Sequence, residues 1–259
     1  MNRSILPALL AFITLPVLAD WDDCKHEREI ESALDVAGSS QLLVEARAGT
    51  LVITGREGAS QVRIAARVCA SKAEWADEAE LEVSEGRTAR VAAGLPDIDG
   101  GWSFFGGNRY ARMDLEIEVP ADLALDIRDS SGSIRLRSAG PARIEDSSGS
   151  ITVEDGRGDV EIEDSSGSIK LNQVEGNVLV RRDSSGSISG EGITGSVRIV
   201  RDGSGSIRFD DVGGDFTVER DGSGSISAYG VGGDFRVVRD GSGSITARNV
   251  KGSVSTPGD

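Results

Sequence analysis

The sequence predicts an all-β protein, a parallel β-solenoid with about 19 residues and two short strands in each coil. The first observation is a repeated element, D-[SG]-S-G-S-I, which recurs seven times at intervals of 17, 18, 19, 19, 19 and 19 residues. The second is the alternation of apolar and polar residues, as at Phe235 to Val237, which is typical of a strand with one buried face. The third is size, because so short a unit buries its apolar side chains only when copies stack. The chirality of parallel crossovers favours a right-handed coil.

The first element along the chain is a predicted secretory signal peptide at residues 1–19. A charged start at Arg3 precedes an apolar stretch from Ile5 to Leu18 and a small residue, Ala19. An uncleaved anchor helix is the alternative, although the apolar run is shorter than the roughly 20 residues that a bilayer requires. We therefore expect an exported mature chain that starts at Asp20, has no transmembrane span, and is periplasmic, on the outer surface or secreted.

The charge of the chain limits its partners. With 28 basic and 43 acidic residues, the formal net charge is −15. Phosphate backbones and anionic lipid headgroups repel such a chain, so we expect no nucleic acid. An envelope protein or a glycan is the expected partner, and no cofactor is predicted.

Cys24 and Cys69 are the two cysteines of the sequence. In an exported chain they most simply form one disulfide. Two free thiols or a metal pair are the alternatives, but His26 is the single histidine and leaves a tetrahedral metal site incomplete.

Residues 20–112 predict irregular β coils that cap the solenoid, because terminal repeats are usually atypical. Strand-like alternation occurs at residues 49–55 and from Val62 to Val68. A short helical turn is expected from Lys72 to Glu80.

A glycine-rich loop at residues 96–112 interrupts the strand pattern. Its aromatic residues Trp102, Phe104 and Phe105 are a candidate contact tip on the surface. The alternative is that the loop folds back and covers the solenoid.

Residues 113–259 predict the regular coils, in which the repeated element is a corner. Glycine permits backbone conformations that are closed to residues with a Cβ, and serine can hydrogen-bond the turn backbone. The corner residues of the last three copies are Gly205, Gly224, Gly243, Ser206, Ser225 and Ser244.

The first residue of each corner is an aspartate, and aspartates stacked one coil apart repel one another. In later coils an arginine precedes the aspartate, and we expect this column, Arg182, Arg201, Arg220 and Arg239, to neutralise it. A calcium ladder is the weaker alternative, because hard cations are disfavoured beside a guanidinium and the repeat differs from that of calcium-loaded β-rolls. No metal site is therefore predicted, and the residues of the alternative ladder are Asp183, Asp202, Asp221 and Asp240.

The G-S-G-S-I corners, the V-x-V strands before them and the segment VPADLALDI resemble a bacterial family of adhesin-like β-strand-repeat proteins, known as a domain of unknown function. The resemblance extends from about Leu42 to Val254. It implies a β-solenoid at the cell envelope. The family has no accepted catalytic residues, so none are transferred to this chain.

We expect a non-catalytic exported envelope protein, an adhesin or structural scaffold that presents a rigid acidic solenoid surface. Catalysis is disfavoured because the sequence has one histidine, no activated serine and no carboxylate pair outside the repeat. Ice binding is disfavoured because the serine columns lie at a glycine-rich corner. One alternative is self-assembly into a head-to-tail filament through an open coil edge. Another is a calcium-binding module similar to a β-roll.

Overall fold

The computed structural model describes residues 24–98 and 109–258, which contain 22 strands and one short helix. The N-terminal elements are β1 (His26–Asp35), β2 (Gln41–Glu45), β3 (Leu51–Arg56), β4 (Gln61–Ala70), α1 (Ala73–Glu78), β5 (Glu80–Ser84), β6 (Thr88–Gly94) and β7 (Ala111–Pro120). The next strands are β8 (Ala124–Asp129), β9 (Ile134–Arg137), β10 (Ala142–Asp146), β11 (Ile151–Gly156), β12 (Val160–Asp164), β13 (Ile169–Val174), β14 (Val178–Arg182) and β15 (Ile188–Ile193). The last are β16 (Val197–Ile199), β17 (Ile207–Val212), β18 (Phe216–Val218), β19 (Ile226–Val231), β20 (Phe235–Val237), β21 (Ile245–Val250) and β22 (Val254–Ser255).

These strands form two sheets of 11 strands each. Sheet A has the order β1-β4-β7-β3-β9-β11-β13-β15-β17-β19-β21, and sheet B has the order β22-β20-β18-β16-β14-β12-β10-β8-β2-β6-β5. From β8 onward, consecutive strands alternate between the sheets and pair in parallel with the strands of neighbouring coils. The predicted fold class, an all-β parallel solenoid, is therefore confirmed. Its handedness stays a prediction.

The apolar columns predicted from the repeat form one continuous core between the sheets. The isoleucines that follow the corners are at most 1% exposed from Ile134 to Ile226. Eleven strands spaced about 4.8 Å apart make this core roughly 50 Å long. In the later coils Phe216 and Phe235 stack with ring centroids 5.4 Å apart, and Phe209 packs at 5.5 Å from Phe216.

The N-terminal coils are not stacked in chain order. Strand β2 pairs with β6 on one side and β8 on the other, while β3 pairs with β7 and β9. The β2–β3 coil is therefore inserted between the β6–β7 coil and the first regular coil. Antiparallel strands β4 and β1 extend sheet A beyond β7, and antiparallel β5 extends sheet B beyond β6.

Helix α1, which was predicted within Lys72 to Glu80, packs at this N-terminal end beside β1 and β4. Ala76 and Ala79 are buried in the core, and Arg28 on β1 donates from Nη1 to the carbonyl oxygens of Ala76 and Ala79 at 3.3 and 3.0 Å. The described residues contain no helix of the length and apolarity needed to cross a bilayer.

The predicted disulfide is confirmed, because Cys24 and Cys69 are bonded with their Cα atoms 5.7 Å apart. It ties the segment before β1 to the end of β4. The predicted signal peptide at residues 1–19 and the aromatic residues Trp102, Phe104 and Phe105 lie outside the described residues.

Candidate functional site

The repeated corner joins each strand of sheet B to the following strand of sheet A. Its glycines have a positive φ, +137° at Gly205, and a Cβ there would lie 1.5 Å from the carbonyl oxygen of Gly186 in the previous coil. The serine after the glycine accepts a backbone bond from the previous coil, as from Ile188 N to Ser206 O at 3.0 Å. The corners thus stack backbone on backbone, with no room for a side chain at the glycine.

The aspartate that opens each corner faces the core. Asp164 and Asp183 are fully buried, and Asp202 is 1% exposed. In an early coil one carboxyl oxygen accepts a corner amide, as from Ser148 N to Asp146 Oδ1 at 3.2 Å. In three later coils neither carboxyl oxygen has a well-aligned donor within the described chain; these residues are Asp183, Asp202 and Asp221.

The prediction that arginines neutralise this aspartate column is wrong. Neighbouring residues on an extended chain point to opposite faces, so each arginine lies on the outer surface while the aspartate after it points inward. Arg201 and Arg220 are exposed, whereas Asp202 and Asp221 are buried. The nearest carboxylate of Arg182 belongs to Glu163, at 3.8 Å.

Burial instead changes the protonation of the column. Burial, followed by the charges of Asp183 and Asp221, raises the pKa of Asp202 to about 7. Burial also raises the pKa of Asp129 and of Asp164 to about 6. Asp202 and Asp221 can share a hydrogen bond between coils when one of these two carboxyl groups is protonated. Burial therefore favours the protonated form of these carboxyl groups, and most strongly that of Asp202.

A metal cluster is not apparent along this column. Across residues 24–98 and 109–258, no group of three or more His, Cys, Asp or Glu side chains is arranged to hold a metal ion. The described chain therefore contains no cluster of ligands that would support the alternative calcium ladder.

The exposed arginines line a groove of about 500 Å³ on the outer face of sheet B. We call it the arginine groove. Its lining residues are Val200, Arg201, Thr217, Glu219, Arg220, Arg236, Val238 and Arg239. Arg201, Arg220 and Arg239 occupy the same position in three successive coils, because the aspartates that follow them pair in parallel. Glu219 is bound by Arg198, which lies beside the groove.

Sequence reasoning found the arginine column but assigned it to the wrong partner. The signal that was available is the change of residue before the aspartate, from Arg128, Glu145 and Glu163 in early coils to arginine in later ones. The early residues form ion pairs between coils, such as Arg128 with Glu145 at 4.0 Å. In the later coils this position is always arginine, so acidic and basic residues do not alternate from coil to coil.

Comparison with known proteins adds structural neighbours. No family model matches the sequence, and no curated protein is significantly similar to it. Several solved structures are similar to this chain. A putative adhesin from Parabacteroides distasonis has 10% identity and a TM-score of 0.39, and the match covers 88% of this chain and 96% of that one. A putative adhesin from Bacteroides fragilis has 14% identity and a TM-score of 0.32, with the same coverages of 88% and 96%.

A third similar structure, a putative lipid binding protein from Parabacteroides distasonis, has 13% identity and a TM-score of 0.31, over 89% of this chain and 97% of that one. The adhesins among these neighbours are the kind of protein that the sequence motifs resemble. At such identities and scores the likeness does not decide what the chain binds, so we take the function from its own geometry.

The corner serines lie apart from the histidine of the described chain. The serines of the corners lie in a column beside other serines, with Ser244 Oγ donating to Ser225 Oγ at 3.2 Å. Histidine is represented in the described chain by His26, which is exposed at the start of β1. A nucleophile activated by a neighbouring base requires both groups within hydrogen-bonding distance, and the described residues bring no histidine to the serines.

Proposed function

We propose that this chain is a non-catalytic exported protein of the cell envelope that acts as an adhesin or scaffold. The observation that supports this most is the continuity of its two 11-stranded sheets. Coil-to-coil bonds occupy most of the backbone polar groups, so the side chains on the outer faces are held in straight columns. Such a rod suits recognition of an extended partner along its length.

Export is supported by the disulfide between Cys24 and Cys69, because disulfides persist mainly in oxidising compartments. The test is to recover the chain from producing cells and to measure its mass and thiol content. We expect a chain that begins at Asp20, carries no free thiol, and is found in the periplasm, at the surface or in the medium. A reduced chain of full length in the cytosol contradicts export.

Adhesion is tested with beads that carry the folded mature chain. We expect these beads to be retained by envelope fragments or exopolysaccharide of the producing cells, while beads carrying the heat-unfolded chain are not. Equal retention of both kinds of bead, or turnover of an envelope polymer by the soluble chain, contradicts a non-catalytic adhesin.

Head-to-tail self-assembly is a second candidate, supported by the difference between the two ends of the described solenoid. At the C-terminal end, Ile245 and Val250 are partly exposed and Val254 is 51% exposed, although they continue the buried columns. At the other end β1, α1 and β5 carry nine acidic residues and a single arginine. Arg239, Arg248 and Lys251 lie in the last coil, so the charges of the two ends are complementary.

Sedimentation of the mature chain at increasing concentration tests self-assembly. We expect end-to-end association that weakens in high salt and in the variant R248E/K251E. A monomeric mass at high concentration, unchanged by deletion of Lys251 to Asp259, contradicts it.

A further inference from the structure

The arginine groove is an uncompensated cationic strip on an acidic protein. Its lining contains four arginines and one glutamate, and the whole chain has a net charge of −15. Within residues 24–98 and 109–258, Arg201, Arg220, Arg236 and Arg239 have no carboxylate within 4.0 Å. Elsewhere on the same sheet exposed arginines are paired, for example Arg143 with Glu161 at 3.6 Å.

The cationic strip lies where the column of residues before the corner aspartates no longer contains acidic residues. The column begins with ion pairs between coils, Arg128 with Glu145 and Glu163 with Arg182. It then continues as Arg201, Arg220 and Arg239, one above another. Like charges directly opposite on neighbouring strands destabilise a sheet, so a bound anion would relieve a repulsion already present in the fold.

Two apolar side chains also line the groove. Val200 and Val238 line the groove in the coils on either side of Glu219, whose carboxylate is held by Arg198, and Val238 is 42% exposed. The hydroxyl of Thr217 adds a neutral hydrogen-bonding group beside them. A ligand that fits must combine regularly spaced anionic groups with an apolar face and hydroxyls.

The spacing of the arginines selects among polyanions. Successive coils are about 4.8 Å apart, whereas same-face side chains of an extended acidic peptide recur about every 6.8 Å. A pyranose in an extended twofold glycan advances by about one coil and successive sugars are turned over, so carboxylates on the same side recur about every two coils. The C–H face of each sugar is apolar. Phosphate polymers such as nucleic acids carry no comparable apolar face next to their charges.

We propose that the arginine groove binds a linear acidic polysaccharide with one uronate carboxylate per sugar. Carboxylates on the same side of the glycan pair with Arg201 and Arg239, two coils apart, and Arg220 adds its charge between them. The sugar faces pack on Val200 and Val238. Guanidinium groups suit this role because they bind carboxylates through two parallel hydrogen bonds. This inference rests on the proposed adhesin function and names its ligand.

The test measures binding of oligogalacturonates of one to six sugars to the mature chain by titration calorimetry. We expect the affinity to rise from one sugar to three and then to level off, because the column spans three coils. It should fall as salt is raised, and a neutral cello-oligosaccharide of equal length should not bind. The variant R201Q/R220Q/R239Q should bind the hexamer at least tenfold more weakly.

A matched control removes the same charge from the opposite sheet. The variant R135Q/R208Q/R248Q changes three exposed arginines on the outer face of sheet A, and its affinity should stay within twofold of that of the parent chain. Equal weakening in both variants overturns the proposal, as does tighter binding of polyphosphate or polyglutamate than of the uronate hexamer. If the triple variant does not fold, two measurements still test the proposal. These are the affinity of R220Q for the hexamer and the dependence of affinity on the number of sugars.

Failure of this inference is distinguishable from failure of the adhesin function. If beads with R201Q/R220Q/R239Q still adhere to envelope fragments as well as the parent chain does, the groove is not the binding surface and the adhesin function stands. If the parent chain binds no uronate and its beads do not adhere, both are wrong.

Discussion

At the scale of single residues, the buried aspartate column links the fold to pH. Unfolded aspartates ionise near a pKa of about 3.9, whereas burial keeps folded Asp202 protonated to about pH 7. Between these values the folded state binds more protons than the unfolded state. The column therefore contributes most to stability below the unfolded pKa, and this contribution is lost as pH rises through the folded pKa.

We predict that the free energy of unfolding falls as pH rises from about 4 to about 8, and that Asp202→Asn removes part of this fall. Because the amide stays neutral and can donate to a neighbouring carboxylate, the variant should be more stable than the parent by about 1–3 kcal/mol at the upper pH. Urea unfolding measured across this pH range provides the test.

The control is Asp122→Asn, which removes the same charge at an exposed position between β7 and β8. It should leave the pH profile of unfolding unchanged. A parent chain whose stability rises steadily with pH would show that the column is ionised and compensated in solution.

At the scale of the element, the corner depends on glycine. We predict that Gly205→Ala destabilises the protein by at least about 3 kcal/mol, because the Cβ meets the carbonyl oxygen of Gly186 and the backbone has a positive φ. Gly38→Ala is the control, since nothing lies within 4 Å of its added Cβ. Thermal unfolding of both variants gives the comparison, and a similar melting temperature for the two would mean that the corners can spread apart.

A second feature at this scale is the ring of Phe209, which fits between small residues of the neighbouring coils. A Cβ on Gly190 would lie 2.3 Å from Cε1 of Phe209 in the next coil, and Ala228 occupies the equivalent position in the coil after that. Glycine is thus required at this strand position by the ring above it.

We predict that Gly190→Ala costs about 1–3 kcal/mol of stability through overpacking, and that Phe209→Leu relieves most of this cost. In a double-mutant cycle the two changes should couple by at least about 1 kcal/mol. Gly190→Ala combined with Ile144→Val should be additive, since Ile144 is buried on β10, two coils away from Gly190. Additivity in both cycles would contradict the proposed fit.

The sequence predicted the elements of the repeat region well, for a physical reason. Columns such as Ile188, Ile207 and Ile226 recur at the coil length, and a period of two within each strand indicates which side is buried. Neighbouring residues on an extended chain point to opposite faces, and the arginine and aspartate columns were mispaired because adjacency along the chain was equated with contact. The insertion of β2 and β3 was not predicted because these strands carry no copy of the corner element.

At the scale of the whole molecule, the solenoid is nearly one-dimensional, since each regular coil contacts the coils on either side. Removing residues 222–240 deletes one complete coil of 19 residues and joins Asp221 to Gly241, which restores the corner element. We predict a folded protein that is one coil shorter and less stable by about 1–3 kcal/mol, the usual contribution of so many residues.

Circular dichroism and urea unfolding of this deletion test the prediction. A deletion of residues 222–231 is the matched control, because it removes about half a coil and moves every later strand to the wrong sheet. The control should lose cooperative unfolding. Loss of cooperativity in the 19-residue deletion as well would show that distant coils depend on each other.

The inserted β2–β3 coil also dictates an order of events during synthesis. A chain that emerges from its N-terminus presents residues 41–56 long before their pairing partners, the last of which is Arg137 on β9. The regular coils, by contrast, need only the coil that emerged just before them, and contacts close in the chain form fastest. We therefore expect pairing between coils to form fastest in the regular region, while strands β2 and β3 keep one edge unpaired until β8 and β9 have emerged.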